Sequence, residues 1–173
     1  MGRITLERIA YHEAGHAFMA FYQRCTCRHA SIIPDEKDNS LGHILNGKRA
    51  RVEYDRISPS SKDRLQIEKY ILVAYAGNAA ERLLTRRKVS DGSHKDFQDA
   101  YDYVSLLIQD EEEVYAYLKW LQLRAENILS IRYNWFAVEV LAKELLKRKY
   151  IGGKQVRQII RQAWIDSCPM PSC

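Results

Sequence analysis

Apolar residues recur at helical spacing through most of the chain, with one stretch of shorter runs near the start. Leu6, Ile9, Phe18 and Phe21, with no proline between them, predict a helix over Thr5 to Arg24. Ala30 to Pro34 and Leu41 to Leu45 are short apolar runs separated by the polar Asp35 to Ser40, which reads as a hairpin. Asn46-Gly47 marks a further turn, and Arg51 to Tyr54 a third strand. Ser58 to Ser61, with Pro59, is a loop whose Ser61 caps a helix from Lys62 to about Arg86. Asp91-Gly92-Ser93 is a turn, and Ser93 caps a helix with the stripe Phe97, Tyr101, Val104 and Ile108. Glu111, Glu112 and Glu113 suit the start of the next helix, whose stripe is Val114, Leu118, Leu121, Ala125 and Ile128. Trp135, Val138, Leu141 and Leu145 place another over Tyr133 to Lys149, broken by Gly152-Gly153 before a last helix from Lys154 to Ile165. Trp120, Trp135 and Trp164 read as core aromatics. The sum is a mainly α (α+β) fold: a helical bundle with a small N-terminal β-sheet. It forms a single domain over 1–173, with sheet and first helix in 1–60 and the helical part in 61–173.

Composition narrows the class. With 46% hydrophobic and 28% charged residues, the 173-residue chain has the balance of a globular domain with a real core. No window nears the roughly 18 apolar residues of a membrane span, and no signal pattern opens the chain, so a cytoplasmic protein is expected. The net charge of +5 is uneven. Leu141 to Cys173 holds seven basic residues against Glu144 and Asp166, which accounts for the whole excess. This reads as a solvated helix face rather than a nucleic-acid surface, since nothing base-reading accompanies it. Cys25, Cys27, Cys168 and Cys173 lack zinc-site spacing and are expected as free thiols.

The chemistry lies in His12-Glu13-Ala14-Gly15-His16, an H-E-x-x-H segment inside the first helix. Residues i and i+4 differ by about 40° around a helix and about 6 Å along it, so both imidazoles can reach one ion. Glu13 lies beside the pair, placed to reach a water on the metal without binding the metal. Zinc makes such a water acidic near neutral pH, and Glu13 can take its proton and pass it to a leaving amine. Ala14 and Gly15 are small enough to let another backbone approach. The metzincin extension is absent, because Met19 and Tyr22 stand where Gly and His are needed. Glu81, Asp91, His94, Asp96 and Asp99 are open as third ligand. His43 and His94 read as surface histidines or cleft-shaping groups.

Four blocks together resemble the FtsH-type zinc peptidases, family M41. They are His12-Glu13-Ala14-Gly15-His16-Ala17; Ser31-Ile32-Ile33-Pro34 followed by Leu41-Gly42; Ala76-Gly77-Asn78-Ala79-Ala80-Glu81; and Asp91-Gly92-Ser93-His94-Lys95-Asp96-Phe97. Their order and spacing agree over residues 1 to about 150. The resemblance implies that Asp96 is the third zinc ligand and that Glu81 orients a ligand imidazole. The competing readings are a capping acid for Asp96, and a surface acid or direct ligand for Glu81. Ile32, Ile33 and Gly42 fall in the strand pair, where the Ala30–Pro34 edge could bind an extended peptide by strand addition. Asn78, Ala76 and Lys95 depart from the family's Arg, first Gly and Asn, which touches substrate positioning rather than the metal.

Gly42 to Lys48 spells G-x-x-x-x-G-K, but Arg49 replaces the Ser/Thr that binds magnesium, so no nucleotide is expected. The expected function is that of a stand-alone zinc endopeptidase domain without the ATPase module, hydrolysing short or unfolded polypeptides. An ATPase partner in trans is one further expectation. The rival is a catalytically retired zinc-binding module serving as an interaction or regulatory domain.

Overall fold

The computed structural model describes residues 5–34, 43–46, 60–86 and 94–167, with side chains placed for all of these but 43–46, 94–96 and 99. In chain order the elements are α1 (Leu6–Tyr22), β1 (Cys27–Ser31), β2 (His43–Asn46), α2 (Ser61–Thr85), α3 (His94–Ser105), α4 (Glu111–Ser130), α5 (Arg132–Arg148), β3 (Tyr150–Gly152) and α6 (Gly153–Ser167).

Helix α1 is the axis of the fold. Residues on nearly every side of it are buried: Ala10, Tyr11, Glu13, Ala14, Gly15, Ala17, Phe18, Met19 and Ala20. A helix buried all round needs neighbours on all sides, and α1 packs against α2, α5, α6 and β1. Its many alanines let those neighbours come close. The crossing with α2 is tightest at Gly15, where an added Cβ would sit 2.5 Å from the Ala76 carbonyl oxygen and 2.8 Å from the Ala80 Cβ. Neither obstacle can swing aside, so Gly15→Ala must push two helices apart. The expected cost is about 1–3 kcal/mol of overpacking, partly offset by up to about 1 kcal/mol of helix propensity. A thermal melt should show Tm falling by about 2–4 °C for each kcal/mol lost.

The other helices close around this pair. α2 begins with a capping box: Asp63 N–H donates to Ser60 Oγ at 3.3 Å, and Ser60 N–H donates to Asp63 Oδ2 at 2.9 Å. The cap is therefore Ser60, one residue before the expected Ser61. α4 is capped by Asp110, whose carboxylate accepts from Glu113 N–H. α4 and α5 share only Ile131 between them, and the buried Asn134 side chain donates to the Ile128 carbonyl at 2.8 Å, satisfying part of α4's open end. The core between helices is filled by Phe18, Met19, Ile67, Ile71, Leu121, Leu129, Leu141 and Leu145. Trp135 and Trp164 pack against it. Trp120 does not: it is 47% exposed, stacked on Tyr117 with Arg124 over its ring.

The sheet has the order β2-β1-β3, with both pairings antiparallel. The expected hairpin partner, β2, pairs Ala30 with Ile44 and Ser31 with His43, after an irregularity beyond Cys27. The other partner comes from far along the chain: β3 pairs Ala30 with Ile151, and Ile32 N–H donates to the Lys149 carbonyl at 2.9 Å. In the sequence this stretch carries only the helix break at Gly152-Gly153. The strand expected over Arg51 to Tyr54 lies outside the described residues. Among the described residues no helix is long and apolar enough to cross a membrane.

Candidate active site

The site is built where α1 and α2 touch. His12 and His16 lie one turn apart on α1, and their Nε2 atoms converge to 2.9 Å. The opposite edge of each ring is held by α2. His16 Nδ1 is 2.6 Å from the Val73 carbonyl oxygen, and His12 Nδ1 is 2.8 Å from Glu81 Oε1. A carbonyl only accepts, so the His16 proton sits on Nδ1; beside an ionised carboxylate the His12 proton does the same. Each Nε2 then turns a lone pair toward the other. Two nitrogens at about 2.1 Å from a tetrahedral ion are about 3.4 Å apart. The observed pair needs to open by only about half an ångström to hold one, so the donor set fits a metal ion.

Gly77 on α2 makes room for this. A Cβ there would lie 2.4 Å from His16 Nε2 and 2.7 Å from both Cε1 and Nε2 of His12. The backbone of α2 thus passes directly beside the Nε2 edges of both rings. Nothing local in the sequence marks this glycine, since it sits inside a helix; only the packing explains it.

Glu81 faces the Nδ1 edge of His12, away from Nε2, so it cannot share an ion with that nitrogen. Its second oxygen accepts from Arg8, from Nη2–H at 2.6 Å and Nε–H at 3.1 Å. Burial raises this carboxyl's pKa, but hydrogen bonds and charge from His12 and Arg8 outweigh burial and hold it below the usual carboxylate range. Glu81 is therefore ionised at neutral pH.

Glu13 is buried within α1, at 5% exposure. Its charge reaches Cys27 on β1. Burial pushes the Cys27 thiol up to about 11, Arg157 pulls against that, and Glu13 adds to it. Burial also pushes Cys25 up, so both thiols are protonated at neutral pH; both are free. Cys168 and Cys173 lie outside the described residues.

Asp96 falls in α3, but its side chain, with those of His94 and Asp99, lies outside the described residues, as do Asp91 and Gly42 altogether. Among the described residues no group of three His, Cys, Asp or Glu side chains is arranged around one point. The strand-addition reading needs correction. β1 is the middle strand, Ile32 is 2% exposed, and its N–H is taken by Lys149. Both edges of β1 are therefore occupied at Ala30 and Ser31, and the Ile32 N–H is taken, whereas Ile33 is exposed. Within the G-x-x-x-x-G-K stretch, His43–Asn46 is a strand.

The central helix of this mainly helical domain presents two converging imidazoles, each braced from behind by a second helix. The sequence model of peptidase family M41 matches residues 4–110, more than half the chain, and the chain belongs to that family. The ATP-dependent zinc metalloprotease FtsH 1 of Methylacidiphilum infernorum (isolate V4) is 36% identical over 96 residues. That similarity covers 54% of this chain and 14% of the relative, so the chain matches about one seventh of that protein.

Proposed function

We propose that this chain is a zinc-dependent endopeptidase domain acting on short or already unfolded polypeptides. The observation that carries the reading is the pair of Nε2 atoms 2.9 Å apart, each with its ring's other nitrogen committed to an acceptor on α2. His12 and His16 would hold the ion, with Asp96 from the first turn of α3 as third ligand. Zinc, when bound, supplies Lewis acidity that acidifies water and polarises the scissile carbonyl. Glu13 takes the proton from the attacking water and returns it to the departing amine. Glu81 fixes the His12 tautomer and ring orientation, and the Val73 carbonyl does the same for His16.

An unfolded protein chain is the proposed substrate class, because the family is one of peptidases. The relative's name includes ATP dependence, so a separate ATPase that delivers unfolded chains in trans belongs to the reading.

The test is metal removal. Purified protein is expected to carry one zinc per chain and to cleave an unfolded protein. A chelator should abolish cleavage, and added zinc should restore it. Zinc uptake with no cleavage, under conditions where a known peptidase digests the same substrate, would favour the retired binding module instead.

A further inference from the structure

Arg8 lies outside the H-E-x-x-H segment, but it continues the same face of α1. Arg8, His12 and His16 are spaced four residues apart, so their side chains line up along the helix. Arg8 Nε–H and Nη2–H both donate to Glu81 Oε2, while Glu81 Oε1 faces His12 Nδ1. The carboxylate is divided, one oxygen to each α1 side chain. The Arg8 and Glu81 side chains are only 25% and 13% exposed, so water competes weakly for them.

A glutamate has three rotatable bonds. Held by one imidazole alone, it can tilt, exchange oxygens or turn toward solvent. Held at its other oxygen by a guanidinium from the helix that carries His12, it is fixed in that helix's own frame. We propose that Arg8 is a positioning residue for the metal centre, acting through Glu81 to fix the tautomer and aim of the His12 ring. This rests on the reading of His12 and His16 as metal ligands. An opposing effect exists, since a cation beside Glu81 weakens the carboxylate's electron push on the imidazole. Positioning outweighs it here, because Arg8 leaves Oε1 entirely to His12.

The test reads zinc affinity, by competition with a chelating dye, in wild type, Arg8→Ala, Glu81→Ala, the double variant and Arg8→Lys. Arg8→Ala should weaken zinc binding about tenfold, the low end of the 10–100-fold range for outer partners, since Glu81 itself remains. Glu81→Ala should lie toward the high end of that range. The double variant should bind no more weakly than Glu81→Ala, because Arg8 has nothing left to hold. Arg8→Lys, with a single charged donor group, should recover part of the loss. Wild-type affinity in Arg8→Ala, or losses that add in the double variant, would overturn the role of Arg8 while leaving the metal pair standing. Failure of the wild type to take up zinc would overturn the metal pair, and this role with it.

Discussion

Replacing Glu13 by glutamine is expected to cut peptide hydrolysis by about two to four powers of ten while zinc content stays at the wild-type level. The two side chains have nearly the same shape. The substitution therefore leaves the packing of α1 unchanged at a position that is 5% exposed. What disappears is a base: an amide does not take a proton at neutral pH. Substrate affinity should change little, so the loss should fall on kcat rather than KM. Metal content and steady-state kinetics on an unfolded protein check this together. A variant that cleaves at the wild-type rate would remove Glu13 from the mechanism.

Gly77→Ala should separate folding from metal binding. On helix propensity alone the change stabilises α2 by about 1 kcal/mol. The new methyl, however, would stand 2.4 Å from His16 Nε2 and 2.7 Å from His12 Nε2. The imidazoles can avoid it only by rotating, which breaks the contacts to Val73 and Glu81. Rotation of two rings costs the protein less than parting α1 from α2, so the fold should survive with the rings displaced. Zinc affinity is expected to drop by at least about a hundredfold, the upper range for disturbing a ligand's outer support, with circular dichroism unchanged. Tight zinc binding by a folded Gly77→Ala protein would show that the ion sits elsewhere.

The parts of this architecture that could be read from sequence were those governed by local rules. Most helix ends were placed within a residue or two because polar caps and acidic first turns announce them; α3 stops at Ser105, short of the Ile108 that ended its expected stripe. Ser60 and Ser61 differ only in which hydroxyl meets Asp63, a distinction that two adjacent serines conceal. Arg24, Arg86 and Lys149, expected as the last residues of their helices, themselves take the left-handed backbone just past the helix ends. β3 escaped notice because three residues carry no alternation and their partner is far away in sequence. Without β3, the β1 edge looked open to substrate. Trp120 was assigned to the core by spacing alone, yet α4 turns that position outward.

At the site the same division holds. The histidine pair and Glu13 are legible because one helix turn contains all three. Glu81 stood among five open third-ligand candidates, and its orienting role came only through the family resemblance, since it approaches from α2. Gly77 and Arg8 had no local signature: one matters for the volume it leaves empty, the other for a carboxylate on another helix.

The pairing of β1 with β3 also sets an order on biosynthesis. Helix α1 and its histidine pair emerge early, but β1 must wait more than a hundred residues for its second partner. Closing so long a loop is slow and entropically costly. Until translation reaches Ile151, the nascent chain exposes an unsatisfied strand edge of the kind that recruits other chains. A fragment ending near residue 110, where the family match stops, would keep that edge permanently. It should aggregate more readily than the longer chain.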